Sequence, residues 1–412
     1  MFLPPLIRSL LRLILASEKA FVVVALLMFT DPFPLQLTGG IRGLCYYLIY
    51  YVTIFFVLVR WKQFIYGVLL GGKLPLALAL IAMISVLWSI EPPSTQKFAR
   101  ELLGTTLFAA HFATRYNLKE QVRLLAWMFG IAALLTLFYG LVLRNYGVMQ
   151  GLHSGAWRGI YLHKNIMSGL MAMSAAIFCL LTRSDIKSRW IPWTGFLLSV
   201  FLVLMSQAGG GRVTFLTLML MMPLYYGLRF RYQFLTYCLI VGVLAGGVTG
   251  TLFVDNIDEF FHALNKKSDL SGRVPLWELM MPLIAQHLWL GYGFKAFWLS
   301  WRGPSAVIWR NLYWRPLYGH NGYIDLLAEL GVLGLSVFLV AFVLTIKRSI
   351  GLIRSTKIPE SLWPMLFLTV LFLSNLTETR LVVANSIYWV LFVSISLLPS
   401  APPEYGIYEQ VE

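Results

Sequence analysis

Apolar residues fall in blocks of about twenty, which is the length that a helix needs to cross a bilayer. Two examples are LPLALALIAMISVLWSI from Leu74 and FLTYCLIVGVLAGGVTGTLF from Phe234. These are continuous runs without the alternation of a half-buried strand, and a spanning segment must satisfy its own backbone hydrogen bonds. The pattern therefore predicts an all-α polytopic membrane protein.

The runs predict about twelve transmembrane helices. They lie near 20–37, 43–59, 74–90, 98–114, 122–143, 166–182, 191–207, 213–228, 233–253, 321–346, 362–376 and 382–398. One long loop, 254–320, separates the ninth span from the tenth. The predicted organisation is thus helices one to nine in 1–253, the loop in 254–320, helices ten to twelve in 321–398 and a tail in 399–412.

The distribution of charge orients these spans. Only 12% of the 412 residues are charged and 58% are hydrophobic, whereas soluble proteins carry roughly twice that charged fraction. Eighteen Lys and Arg residues fall on the side of the N-terminus and eight in the opposite short loops. The positive-inside rule then predicts that both termini are cytoplasmic and that the long loop is outside. The net charge of +15 therefore reflects topology, and the chain has no basic-aromatic motif that would indicate a nucleic-acid partner.

The predicted outer face collects features that bind anions. Helix N-termini offer unpaired N–H groups and a positive dipole end, and every even-numbered span begins on this face. Polar residues precede or open these spans and the first helix of the long loop, namely Arg158, His163, Lys164, Asn165, Arg212, Ser271, Arg273, His320, Asn321, Glu378 and Arg380. Three glycines stand directly before Arg212, and such a turn lets backbone N–H groups approach a phosphate closely. Several guanidinium groups beside helix N-termini suit a diphosphate.

Each of these residues also has a plain structural interpretation. Asn165, Ser271 and Asn321 are typical helix caps, and Arg158, Lys164 or Arg380 alone would suit contact with lipid head groups. Arg212 is harder to explain in that way because a cation at a helix N-terminus opposes the dipole, and a bound anion would offset that cost.

His320 stands alone at the predicted outer end of an apolar helix. A positive helix end lowers the pKa of an imidazole and keeps it neutral, as a general base must be. Glu378 either orients His320 or binds an acceptor, or else it caps a helix end. His320 is therefore the candidate catalytic residue.

The long loop predicts one or two helices near the membrane interface, because residues 274–290 have helical apolar spacing. Six tryptophans accompany them, and they suit either an interfacial belt or sugar stacking. They are Trp277, Trp289, Trp298, Trp301, Trp309 and Trp314. The aspartates never form Asp-x-Asp, the histidines never pair at ligand spacing and no Walker motif exists, so neither a metal nor a cofactor is predicted.

Six segments in order along the chain resemble the O-antigen polymerase/O-antigen ligase superfamily of bacterial envelope proteins, with the greatest likeness to exopolysaccharide polymerases of the ExoQ type. They are SVLWSIEPPSTQKFARELLGTTLF (85–108), RGIYLHKNIMSG (158–169), SQAGGGRVTFLTL (206–218), SGRVPLWELMMPLIAQHLWLGYGFKAFW (271–298), GHNGYIDLLAELGVLG (319–334) and SNLTETRL (374–381). The third glycine of GGGR replaces a residue that is often serine.

The resemblance implies a metal-independent glycosyltransferase of GT-C-like type in the bacterial inner membrane. Its donor would be an oligosaccharide on undecaprenyl diphosphate, used on the periplasmic side, with membrane lipid and a chain-length regulator or export protein as further partners. The family's motif histidine falls on His320, its diphosphate-binding arginines on Arg212 and Arg273, and Lys164 is an auxiliary cation. Arg158, His163, Asn165, Asn321 and Glu378 complete the candidate set.

Three functions remain open at this point. A polymerase extends the glycan on another lipid-linked repeat, which RGIYLHKN favours, whereas an O-antigen ligase transfers it to lipid A core. A transporter or flippase of an anionic lipid-linked sugar would instead place charged residues deep within the spans, where this sequence has few.

Overall fold

A computed structural model describes residues 5–32, 39–184, 188–230 and 273–398. The described residues form helices joined by turns, with a single isolated bridge between Val148 and Trp157 in place of any strand. The helices are α1 (Pro5–Phe29), α2 (Gly39–Val59), α3 (Trp61–Leu70), α4 (Leu74–Ile84), α5 (Pro92–Arg115), α6 (Leu118–Leu141), α7 (Arg144–Gly147), α8 (Lys164–Leu181), α9 (Trp190–Met205), α10 (Gly209–Gly227), α11 (Arg273–Gln286), α12 (Ser305–Asn311), α13 (Gly322–Ser355), α14 (Trp363–Ser374) and α15 (Ile387–Ser396).

Every predicted span that falls on described residues overlaps one of these helices, which confirms the all-helical class. Within the described ranges, four helical stretches are long and apolar enough to cross a membrane, namely Gly40–Val59, Leu118–Leu141, Lys164–Leu181 and Gly322–Ser355. The pair Trp61–Leu70 and Leu74–Leu87 adds a fifth if its bend of 103° lies within one span. The count of twelve, the GT-C-like arrangement and the periplasmic side of the loop stay predictions. The predicted span 233–253, the start of the loop with Ser271 and the tail 399–412 lie outside the described residues.

The boundaries of several helices follow from local chemistry. α5 begins with a proline at its first position, where no N–H is needed. α6 begins with a full capping box between Asn117 and Glu120, which satisfies two backbone N–H groups reciprocally. α3 was not predicted as a separate helix. It is a ten-residue helix that turns back onto α5, where Gly67 lies against Thr114.

The core lies where α8 packs on α6, α9 and α10 and where α15 packs on α5. Its largest fully buried side chains include Trp363, Trp389 and Phe129. Other helices leave large apolar side chains outward, such as Leu48 and Leu220, as the lipid-facing surface of a membrane protein does. Burial therefore depends on neighbours in the bundle more than on hydropathy.

Several basic residues predicted to be cytoplasmic make contacts between helix ends. Arg60 and Arg115 both pair with Glu18, whose side chain is 1% exposed. Arg229 donates hydrogen bonds to the carbonyls of Lys357 and Ile358. The cytoplasmic side of these residues and the outer side of the candidate functional residues stay predictions.

The long loop is fastened to α13 at a kink. Gly331 has φ 64°, in the left-handed region, and a Cβ there would overlap the backbone of Trp289. The opened helix pairs with residues 288–293, because Tyr292 donates its N–H to the Ala328 carbonyl at 3.0 Å and Val332 donates to Leu288 at 2.9 Å. This pairing holds the described part of the loop beside the start of α13.

Candidate functional site

The candidate base, His320, occupies a tight turn directly before α13. Its backbone has φ 50°, a left-handed conformation that histidine adopts more readily than most residues. Trp277 of α11 holds this turn in place, because its indole N–H donates to the Gly319 carbonyl at 2.8 Å. Asn321 caps the helix by accepting from the N–H groups of Tyr323 and Ile324. The plain interpretation of Asn321 as a cap is therefore correct.

Asp325 anchors the same turn from within the helix. Its side chain is 2% exposed, and both carboxylate oxygens accept from the N–H of Gly319 at 2.9 Å. The indole of Trp298 donates to Oδ1 at 2.9 Å, and the hydroxyl of Thr379 donates to Oδ2. One buried carboxylate thus joins the long loop, the His320 turn and the segment before α15.

Glu378 brings the predicted site residues together. Arg273 at the start of α11 lies 3.7 Å from one of its carboxylate oxygens, between Nη2 and Oε1. The phenol of Tyr318 donates to Oε2 at 3.2 Å, and its ring lies 4.2 Å from that of His320 between centroids. Trp314 flanks the imidazole on another side at 5.5 Å. His320, Arg273 and Glu378, which are far apart in the sequence, therefore form one cluster, here called the His320 cluster.

The electrostatics of the cluster favour a neutral imidazole. Burial is the largest cause that lowers the pKa of His320 from its ordinary value, and Arg273 lowers it further. Glu378 and Asp325 oppose this shift. The direction agrees with the one expected at a helix N-terminus, and burial is its largest cause. Nδ1 of His320 is buried without a hydrogen-bond partner among the described residues, and such an unused polar atom is a frequent mark of a functional site.

The pH dependence of activity tests the role of His320. A base works in its neutral form, so activity is full above the pKa of His320 and is lost as pH falls through it. Glu378 raises that pKa, and Glu378→Gln is therefore expected to move the acid limb of the kcat/KM profile to lower pH. The matched control is Glu278→Gln, an exposed carboxylate on α11, which leaves the limb unchanged. A limb that stays in place or moves to higher pH in Glu378→Gln contradicts this assignment.

The HKN motif lies beside the cluster. His163 caps α8, because its Nδ1 accepts from the N–H of Asn165 at 3.2 Å. The pKa of His163 is lowered, first by burial and then by His153 and Lys164, while Glu378 acts in the opposite direction. Glu378 therefore lies within electrostatic reach of both motif histidines. The interpretation of Asn165 as the cap is wrong, since its side chain is exposed and His163 supplies the acceptor.

Arg212 is in the first turn of α10, as predicted. Its side chain is exposed, and Nη2 donates to the Leu204 carbonyl at 3.5 Å. Within the described ranges, no ion pair or hydrogen bond connects it to the His320 cluster. The glycines before it differ in role. A Cβ at Gly209 or Gly210 would meet open space, whereas one at Gly211 would overlap the side chain of Ser168. The third glycine thus lets α10 approach α8, which explains why serine is absent there.

Arg158 and the tryptophans of the long loop make structural contacts. Arg158 donates from Nε to the Tyr146 carbonyl at 2.7 Å and so secures the turn before α8. The described part of the loop, from residue 273 onward, includes the helices α11 and α12. Three of its tryptophans donate indole hydrogen bonds to the surrounding protein, namely Trp277, Trp298 and Trp309. These hydrogen bonds stabilise the loop and the His320 turn. Neither an interfacial aromatic belt nor sugar stacking, the two roles expected for the tryptophans, includes this structural role.

Three residues of this region were not predicted from the sequence, namely Asp325, Tyr318 and Thr379. Asp325 did carry a signal, because an ionisable residue inside an apolar helix usually has a specific partner. Tyr318 and Thr379 had none, since a tyrosine or threonine near a membrane interface is common and their partners lie about sixty positions away.

The described residues thus define a helical membrane protein with a polar cluster at one end of its bundle, built around a histidine, an arginine and two carboxylates. Residues 194–339 match the family model described as O-antigen ligase. This range includes Arg212, Arg273 and His320 but ends before Glu378.

The chain is also 24% identical over 306 residues to the exopolysaccharide production protein ExoQ of Rhizobium meliloti (strain 1021). That similarity covers 69% of this chain and 67% of the relative. The two findings confirm the resemblance to the O-antigen ligase and polymerase superfamily, and they support a membrane enzyme of that kind.

Proposed function

We propose that this protein is a membrane glycosyltransferase that polymerises oligosaccharide repeats carried on undecaprenyl diphosphate, at the periplasmic face of the bacterial inner membrane. The observation that carries the proposal is the His320 cluster, where a half-buried imidazole with a lowered pKa lies beside Tyr318 and within reach of the Arg273–Glu378 pair. The similarity to an exopolysaccharide production protein supports a polymer as the product.

The proposed reaction is a direct displacement that inverts the anomeric centre. An acceptor hydroxyl oxygen attacks the anomeric carbon, the bond from that carbon to the lipid diphosphate breaks, and the hydroxyl proton passes to His320. Arg273 stabilises the charge that develops on the departing diphosphate. Arg273 is only 3.7 Å from Glu378, so an incoming diphosphate competes with that carboxylate for the guanidinium. Arg212 and Lys164 are auxiliary cations for the same group.

Tyr318 keeps Glu378 in place during this exchange. Burial and the neighbouring Glu378 carboxylate raise the pKa of Tyr318 to about 12. The phenol therefore stays protonated at neutral pH and continues to donate its hydrogen bond to Glu378. A carboxylate fixed in this way can orient the imidazole while Arg273 turns to the substrate.

The polymerase and ligase functions differ in acceptor, so the acceptor decides between them. Purified wild-type protein is given lipid-linked repeat as donor and sole acceptor, and products are resolved by length. A ladder of extended lipid-linked glycans is the expected result. Transfer to added lipid A core with no extension of the repeat would support the O-antigen ligase that the matching family model describes. Transport of the lipid-linked repeat across the membrane of proteoliposomes, without formation of a glycosidic bond, would support the flippase.

A further inference from the structure

A cavity lies at the segment that follows Glu378, since Arg380 forms part of its lining. It has a volume of about 790 Å³, within the range of small-molecule binding sites. The end of α1, the first turns of α2, α5 and α8, and residues 380–388 form its walls. All of these belong to the predicted outer end of the bundle.

The lining is basic on balance. Three cations face it, Arg42, Lys97 and Arg380, against two carboxylates, Asp31 and Glu101. Arg42 is ion-paired with Asp31. Arg380 and Lys97 have no ion pair within the described residues, and Arg380 instead lies 4.9 Å from the centroid of the Tyr388 ring. Once Arg42 is paired with Asp31, Lys97 and Arg380 face the single carboxylate of Glu101, so the lining carries one net positive charge, which attracts an anion.

The remaining walls suit an amphipathic ligand. Phe29, Leu44 and Leu170 supply an apolar side, while Tyr46 and Tyr47 supply aromatic rings with polar tips. Tyrosine combines an apolar face with a hydrogen-bonding group, which suits sugars and head groups. A cavity that joins cations, tyrosines and an apolar wall fits a phosphate-bearing lipid with a sugar better than a free ion.

The wall between this cavity and the His320 cluster is fixed in shape. Asn385 has φ 57°, and its N–H donates to the Thr105 hydroxyl at 3.0 Å while its Nδ2 donates to Glu101 at 3.3 Å. The backbone N–H of Arg380 donates to Oδ1 of Asn375 at 2.7 Å. The same short segment thus presents Glu378 to one site and Arg380 to the other.

We propose that this cavity binds a second lipid-linked sugar diphosphate, the acceptor of the chain extension, while the His320 cluster holds the donor. The assignment of donor and acceptor rests on the proposed function. The chemistry of the ligand rests on Arg380, Lys97 and the tyrosine and apolar walls. Two adjoining diphosphate sites separated by one segment would bring the two glycans to the same base.

Binding stoichiometry tests the proposal without requiring turnover. Native mass spectrometry of the full-length protein with added undecaprenyl diphosphate is expected to show two bound molecules. Gly43 lines the cavity, and a Cβ there meets open space, so Gly43→Phe should obstruct the cavity and leave one bound molecule. Gly227→Phe is the matched control at a helical glycine with equally open surroundings away from the cavity, and it should retain two.

A charge variant tests the same cavity without a bulky side chain, so that the test does not depend on the folding of Gly43→Phe. Arg380→Gln is expected to weaken one of the two binding events by about tenfold, since a charge-assisted contact of roughly 1.4 kcal/mol is lost. Arg144→Gln, an exposed arginine in the same end of the bundle, should change neither event. Equal stoichiometry in wild type and Gly43→Phe with no effect of Arg380→Gln would overturn the proposal. Equal occupancy of the cavity by phosphatidylglycerol would overturn it too, because the site would then be a general lipid head-group site.

The outcome is separable from that of the proposed function. A protein that binds two molecules but never extends the repeat refutes polymerisation and leaves the diphosphate cavity standing. A protein that extends the repeat yet binds one molecule, unaffected by Gly43→Phe, refutes the cavity and leaves polymerisation standing.

Discussion

Chain extension is expected to fall by 10²- to 10⁴-fold when His320 is replaced by asparagine, the range that general-base catalysis contributes. Asparagine tolerates the left-handed backbone at φ 50° and has no nitrogen that accepts a proton near neutral pH. The substitution therefore removes the base and keeps the turn. The measurement is the initial rate of glycan extension by purified protein, with accumulation of unextended lipid-linked repeat in cells as a second readout.

Two further variants make this result specific. His320→Ala should lose the same activity, because it also removes the only group at this position that accepts a proton. His287→Ala is the matched control. This histidine is exposed in the same loop and packs on Tyr292 at 4.3 Å, so its loss should leave the rate unchanged. Unchanged extension in folded His320→Asn would refute His320 as the base.

The second large effect on the extension rate is expected from substitution of Asp325. This residue acts by positioning the His320 turn and not by contact with substrate. Asp325→Ala leaves the Gly319 N–H, the Trp298 indole and the Thr379 hydroxyl without their acceptor. We expect the free energy of unfolding to fall by about 3 kcal/mol, the order of a lost hydrogen bond to a buried charge. The extension rate should fall by at least about tenfold, because a catalytic group displaced by roughly 1 Å can lose as much or more.

Graded substitutions of Asp325 distinguish its role in positioning His320 from its role in the stability of the protein. Asp325→Asn keeps one carboxamide oxygen as an acceptor and should lie between wild type and Asp325→Ala in both thermal stability and rate. Glu278→Ala removes an exposed carboxylate from α11 and should change neither. If Asp325→Ala lowers the melting temperature in detergent but leaves the rate at the wild-type value, then Asp325 does not position His320.

The site could be predicted from sequence only in part, and the reason is the distance along the chain between its members. His320, Arg273 and Glu378 each stood before or at the start of a helix, which is a local signal. Their meeting is not local, since Arg273 and Glu378 are joined by a 3.7 Å pair across more than one hundred residues. Arg212 carried the same local signal, yet its side chain donates to the Leu204 carbonyl and makes no hydrogen bond or ion pair with the His320 cluster among the described residues.

The sequence by itself determined the helical membrane class and pointed to His320 as the candidate base. These depend on run length and on motifs, which are local properties. Only the tertiary structure decided that burial is the largest cause that lowers the pKa of His320, that Asp325 anchors the turn before α13 and that Gly211 is a packing residue. Each of these depends on which groups from distant segments come within a few ångströms, and hydrogen bonding, desolvation and steric exclusion act only at that range.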